Sequence, residues 1–285
     1  MAFQIVVDSS SDIPKELAEK LGIVVVPMPV NIDGNTYAEG IDIFPEQFYA
    51  DFKNYKELPK TSQPNISLLK ETYEKVLADG KDIVAIHLSS GLSSTYQTAV
   101  MVREMCSAPE RIHVIDSLGA SFGFGLLAIL AVDIVKEKDD WTDVEAEILN
   151  IRNKMRYTFT IDTLEYLVKG GRLSKTAGFV AGLLDVKPIL HINSEGKIDV
   201  FQKVRSRKSA LKKLIDIMEK EAVDLENQVI GISHSYCLEE ANALAEEIRQ
   251  TVPVTDIIIS DIGCVVGSHV GPGTVALFFQ STPKM

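Results

Sequence analysis

The chain has 285 residues, 46% of them hydrophobic, with 29 basic against 40 acidic side chains and a formal net charge of −11. That charge argues against nucleic acid as a primary partner and against steady docking on an anionic membrane, because nothing offsets phosphate repulsion. The length suits one large domain or two modest ones, with enough apolar content for a sizeable core.

The first residues, MAFQIVVDSS, lack a basic stretch followed by an apolar run and do not read as a signal peptide. Residues 4–7 read as a strand whose polar end is Asp8-Ser9-Ser10-Ser11-Asp12. Pro14 opens a short helix that Gly22 ends. Residues 23–30 read as the next strand, and Asp33-Gly34 as a tight turn. Helices are expected over 44–52 and 66–77. Between them lies a hydroxyl cluster, Lys60-Thr61-Ser62-Gln63-Pro64.

The apolar strand expected over 83–88 stops in Ser89-Ser90-Gly91-Leu92-Ser93-Ser94-Thr95. A helix starts near Ser93 and Ser94. In an α/β sheet, the loop after a strand's carboxyl end is the usual ligand site. A helix start there adds unpaired N–H groups and partial positive charge. Five hydroxyls beside it form a seat for an oxygen-rich, anionic group. Helix capping alone explains the same residues, and the second cluster around Thr61 tips the balance toward a ligand.

A strand over 112–115 leads to a long helix ending near Lys138. Residues 117–132 are uncharged, but too few to span a bilayer, so the helix is expected inside the protein. Thr142 and Glu145 read as a capping box for another helix. Strands alternating with helices imply a mostly parallel sheet covered on both faces.

Beyond residue 155 the pattern changes. A strand over 157–161 precedes a helical stretch over 163–185 broken at Gly170-Gly171. A hairpin over 188–204 turns at Ser194-Glu195-Gly196. Helices over 206–220 and 238–250 and strands over 229–233, 256–260 and 274–279 complete the chain. The fold class is therefore α/β. An N-terminal domain, residues 1–155, holds a mostly parallel sheet with helices on both faces, and a C-terminal mixed α/β domain spans residues 156–285. Phe122, Phe124, Leu126, Leu127, Phe179, Val180, Leu183 and Leu184 exceed one amphipathic stripe, which marks buried helices. Small residues among them leave either a tunnel or an ordinary packed core, and sequence alone favours the core.

Three cysteines, Cys106, Cys237 and Cys264, show neither metal nor disulfide spacing. Reduced thiols in a cytoplasmic protein are the simplest account. No metal motif, P-loop or dinucleotide fingerprint occurs, so neither metal nor cofactor is expected. His269 sits in a glycine-dense segment, Gly263 to Gly273. Such density means sharp turns or close approach, and His269 reads equally as an anion ligand or an ordinary loop residue. His87 and His191 read as core histidines, while His113 and His234 carry no local signal. Two basic islands, around Arg172 and Arg205, stand out in an acidic chain.

Six segments then resemble the DegV family of bacterial fatty-acid-binding proteins. They are Val7-Asp8-Ser9-Ser10-Ser11-Asp12, Lys60 to Pro64, Leu88 to Tyr96, Val114-Ile115-Asp116-Ser117, Tyr166 to Ser174, and His269-Val270-Gly271-Pro272-Gly273. The resemblance spans nearly the whole chain in family order. It implies two α/β domains with a long-chain fatty acid between and within them. It implies that Thr61, Ser93 and Ser94 bind the carboxylate with His269 beside them. It further implies a carrier without catalytic residues that hands the acid to a separate fatty acid kinase, for acyl phosphate formation feeding phospholipid synthesis. Arg172 and Arg205 are then candidates for partner or phosphoryl contact, and transient contact with a membrane or an acyltransferase is compatible with that role. Two other readings stand beside it: a serine esterase using Ser93, and a small-metabolite or phosphoryl carrier using a histidine.

Overall fold

The computed structural model describes residues 3–174 and 186–282. Helix α1 (Lys15–Leu21) follows strand β1 (Phe3–Asp8) and ends on Gly22, whose φ of 69° closes the helix in the left-handed region. Residues 23–30 form two strands, not one. β2 (Val24–Val26) continues the first sheet, while β3 (Pro29–Ile32) joins another. Pro27 and Pro29 interrupt the run, and a proline cannot donate to a strand ladder. Asp33 and Gly34, both at positive φ, turn β3 into the short β4 (Asn35–Ala38).

Helix α2 (Pro45–Ala50) leads to β5 (Lys60–Thr61), which pairs with β3 and carries Thr61 opposite Val30. Next come α3 (Ile66–Ala78), β6 (Asp82–His87), α4 (Thr95–Arg103), β7 (Ile112–Asp116), α5 (Phe122–Glu137) and α6 (Trp141–Lys154). Asp140, not a Thr142–Glu145 box, caps α6: its side chain accepts from Thr142 N.

From Met155 the chain builds its second large sheet. Its elements are β8 (Met155–Thr160), α7 (Glu165–Lys169), β9 (Lys187–Ile192), β10 (Ile198–Val204), α8 (Arg207–Glu221), β11 (Val229–His234), α9 (Leu238–Thr251), β12 (Asp256–Asp261), α10 (Cys264–Val270) and β13 (Val275–Gln280). The helix expected over 163–185 begins as α7. Lys175, Phe179, Val180, Leu183 and Leu184 lie outside the described residues.

The described residues form three sheets. The first is wholly parallel in the order β2-β1-β6-β7. The second is mixed, β10-β9-β8-β13-β11-β12, with only β11 and β12 parallel. The third is the small antiparallel β4-β3-β5. The α/β class with its parallel and mixed sheets is as the sequence implies. The small sheet was not legible, because its outer strands are short and polar.

Helix α5 explains its own composition. Phe124, Leu127 and Ala131 pack with Ile5, Val7 and Val84 of the first sheet. Phe122 and Leu126 pack with Tyr157, Ala276 and Phe278 of the second. Phe122 to Ala128 lie buried between the two sheets with no solvent face, while Asp133, Lys136 and Glu137 carry the last turns of the helix into water. Its glycines leave no tunnel: a Cβ on Gly123 would meet the rings of Tyr157 and Phe278, and one on Gly125 the Ser11 carbonyl.

Candidate functional site

The loop after β6 divides its hydroxyls among different tasks. Ser89 Oγ donates to Gly196 O at 2.8 Å and ties the loop to the β9–β10 turn. Ser93 Oγ lies 2.8 Å from Thr95 Oγ1 and accepts from Thr95 N, so it sits at the opening of α4. Ser94 points outward, accepting from Gln63 Nε2 at 2.9 Å. Asp8 braces the strand end: its Oδ2 accepts from Leu88 N and contacts His87 Nδ1, each at 3.0 Å. His87 Nε2 meets Tyr73 Oη at 2.9 Å, which makes it the satisfied core histidine its strand position suggests.

The residues around His269 form a short helix, α10, not a loop. Its glycines serve close approach. Gly267 admits Tyr49, whose hydroxyl would lie 2.3 Å from an added Cβ. Gly170, at the end of α7, admits the imidazole of His269, whose Nδ1 would lie 2.5 Å from a Cβ there. Helix α10 thereby brings His269 Nε2 to 2.8 Å from Thr61 Oγ1. Among the described residues, His269 Nδ1 is buried and finds no hydrogen-bond partner.

Thr61, Ser93 and His269 line one cavity of about 60 Å3, with Ser62 and Arg172. Its other walls are apolar, among them Met28, Leu92, Ala120, Leu167, Val266 and Val270. Arg172 Nε donates to Leu92 O at 3.1 Å and Nη1 to Gly170 O at 2.6 Å. Burial lowers the Arg172 pKa from its ordinary value, yet guanidinium stays charged in proteins. Burial first, and the Arg172 charge second, push His269 down to about 4. His269 is therefore a neutral imidazole at neutral pH, and the fixed positive charge of the cavity is Arg172.

Four of the sequence-derived candidates thus meet: Thr61, Ser93, His269 and Arg172. Ser94 lies outside the cavity. Arg205 is exposed between β10 and α8 and lines no part of it. Met28 and Val266 were not singled out in the sequence, since an apolar residue beside a proline or inside a glycine run carries no signal. Among the described residues no group of acidic, cysteine and histidine side chains is arranged to hold a metal. All three cysteines are unpaired thiols. Among the described residues no helix is long and apolar enough to cross a membrane.

The fold and site define an α/β protein with a small cavity, lined by a few polar side chains on otherwise apolar walls, to which both halves of the chain contribute. This chain belongs to the DegV family: a family model described as "Uncharacterised protein, DegV family" matches residues 2–282. A DegV domain-containing protein of Clostridium perfringens is 37% identical over 287 residues, covering 99% of this chain and 98% of the relative. The fold is that of the fatty acid binding DegV family protein from Thermus thermophilus, with a TM-score of 0.92 and 29% identity, covering 99% of this chain and 100% of that one. It is also similar to DegV of Bacillus subtilis, a fatty acid binding protein, with a TM-score of 0.89, 32% identity, and coverage of 99% of this chain and 100% of that one.

Proposed function

We propose that this protein binds a long-chain fatty acid, with the carboxyl group seated among Thr61, Ser93, His269 and Arg172. The observation that carries this reading is the Thr61–His269 pair, beside Ser93 and Arg172, in a cavity whose remaining walls are largely apolar. With its proton on Nε2, a neutral His269 donates to Thr61 Oγ1 and leaves the threonine hydroxyl free to donate to a carboxylate. Ser93 offers a second hydroxyl at the opening of α4, where the helix dipole favours an anion. Arg172 supplies the opposing charge. An unpaired buried carboxylate is costly, and these groups offset that cost.

The tail supplies the affinity. About 14 buried methylenes at about 0.8 kcal/mol each gain on the order of 11 kcal/mol, before ordering costs. A cavity of about 60 Å3 has room for a head group, not for such a tail, so binding parts the apolar walls. The tail then extends into residues 156–285, the half that also offers Arg205 as partner contact. In this reading the protein is a cytoplasmic carrier without a cofactor. It presents the carboxyl group to a separate fatty acid kinase, and the acyl phosphate feeds phospholipid synthesis. The esterase alternative needs a histidine on Ser93, where the hydrogen-bond partner is Thr95.

Mass spectrometry of an organic extract of the purified protein tests the ligand. The expected result is a near-stoichiometric long-chain fatty acid. Lipid-free extracts, with thermal stability unchanged by added fatty acid, would overturn the reading. The kinase step is tested by ATP turnover in the presence of the loaded protein.

A further inference from the structure

Two buried carboxylates, neither of which lines the head-group cavity, grip the start of α10. Asp12 follows β1 and Glu39 follows β4. Gly263 N donates to Asp12 Oδ1 at 3.0 Å, and Val265 N donates to Glu39 Oε1 at 2.8 Å. These N–H groups stand at the start of the helix, where no preceding turn supplies an acceptor. Ser121 Oγ donates to Asp12 and Ser9 Oγ to Glu39. Ser260 Oγ donates to the Asp12 carbonyl, and Tyr49 Oη to Ile262 O at 2.9 Å. The grip thus fastens the segment from Ser260 to Val265 onto the first 50 residues.

Asp12 is 7% exposed and Glu39 5%. An added Cβ on Gly263 would lie 2.4 Å from Glu39 Oε1 and 2.7 Å from Asp12 Oδ1, so both carboxylates converge on this one glycine. The ionisable groups that interact with them are Asp8, Tyr49 and Cys264, and Asp261 acts on Tyr49. His234 Nε2 stands 3.5 Å from Asp261, and Lys15, Glu16 and Glu19 line a surface groove together with Asp12, Glu39 and Asp261. Burial, first, raises the pKa of both carboxyls; the Glu39 charge then adds to the rise at Asp12, and the Asp8 charge to the rise at both, as expected of like charges in one site.

We propose that Asp12 and Glu39 are positioning residues that set His269 against Thr61 by fixing the first turn of α10. The inference rests on the head-group reading above. Helix α10 has seven residues, far below the roughly 12–15 at which isolated helices hold together, so its anchors decide where it lies. Cys264 and His269 are separated by about 7.5 Å of helix rise, and a shift of the first turn is carried directly to the imidazole. The pair grips best while one of its two carboxyls stays protonated. As pH rises and the second carboxyl ionises, repulsion loosens the grip.

The test uses the full chain, with palmitate as the probe and histidine ring 15N resonances of the ligand-free protein as the second readout. Glu39→Ala is expected to weaken palmitate binding by about tenfold or more, a loss typical of one buried charged contact, and to shift the His269 resonances. Glu39→Gln keeps the acceptor for Val265 N and cannot ionise. It is expected to restore binding and to hold it as pH rises, while the wild-type protein weakens relative to it. The fatty acid and His269 titrate in both proteins, so the ratio of their affinities isolates the pair. Unchanged binding and unchanged His269 resonances in Glu39→Ala would overturn the proposal. If Glu39→Ala does not fold, a Glu39→Gln protein with the wild-type pH profile would overturn it as well. A wild-type protein that ignores palmitate, while Glu39→Ala still shifts His269, removes the head-group reading and leaves the positioning role standing.

Discussion

Thr61 and His269 stand 208 positions apart in the chain and 2.8 Å apart in space. Thr61 comes from the edge of a two-residue strand, and His269 from the last turn of a seven-residue helix. Neither element has much stability of its own. Their meeting depends on tertiary anchors, and most of what can be tested about the site follows from that.

Thr61→Ala and Ser93→Ala should each weaken fatty acid binding. Losing one hydrogen bond to a charged group costs roughly 1.5–3 kcal/mol. The fold should persist, and the kinase-coupled step should suffer more than binding, because the tail still anchors the ligand. Titration calorimetry and ATP turnover on the double variant check this. Wild-type transfer would remove both residues from the site.

Gly170→Ala should displace the His269 ring. Its Cβ would sit 2.5 Å from Nδ1, too close for any real contact. The expected outcome is loss of head-group affinity comparable to Thr61→Ala, with the two effects less than additive because they act on one contact. A double-mutant cycle on fatty acid binding measures that coupling.

Acid should destabilise the protein through His269. Its folded pKa, about 4, lies below the ordinary 6.5, so the unfolded chain binds the proton more readily. Stability from this group is complete above the unfolded value and is lost as pH falls from there toward about 4. His269→Gln should flatten that part of the Tm-against-pH curve. An unchanged curve would mean that His269 does not report burial in this way.

The two arginines should separate. Sequence alone treats Arg172 and Arg205 alike, as basic islands. Arg172 is in the cavity wall and Arg205 is exposed. Arg172→Ala is expected to lower bound lipid, whereas Arg205→Ala should keep its lipid and slow only acyl phosphate formation. The Arg205 effect should also weaken in wild type as salt rises, since exposed charges are screened beyond about 8 Å at about 0.15 M. Lipid content and turnover per bound lipid, measured together, tell the two apart.

Ala120→Phe should fill the cavity from its apolar side. Overpacking costs roughly 1–3 kcal/mol, small enough for the fold to survive. Co-purifying fatty acid should disappear. If lipid content is unchanged, the acyl chain does not pass Ala120.

Outside the small sheet, most strands and helices of the first half were legible because apolar runs alternate with amphipathic ones and glycines mark the ends. Residues 23–30 were misread as a single strand because periodicity cannot show a chain changing sheets, although Pro27 and Pro29 marked the place. Helix α10 was hidden by its glycines, which lower helix propensity but here make room for Tyr49 and for two carboxylates. Both hydroxyl clusters contribute residues to the cavity wall. Their division of labour, with Ser93 facing in and Ser94 facing out, depends on backbone direction at the helix start, which composition does not encode. Glu39 carried no signal at all: a lone glutamate after a short polar strand reads as surface.

The double-sided helix α5 has a practical consequence for anyone dissecting the molecule. A fragment ending at Lys154 keeps the parallel sheet but strips Phe122 and Leu126 of Tyr157, Ala276 and Phe278. It would present a bare apolar stripe to water, and such stripes aggregate. The complementary fragment would lose the helix that roofs its sheet. Recombinant halves should accumulate in inclusion bodies when expressed separately and regain solubility when co-expressed.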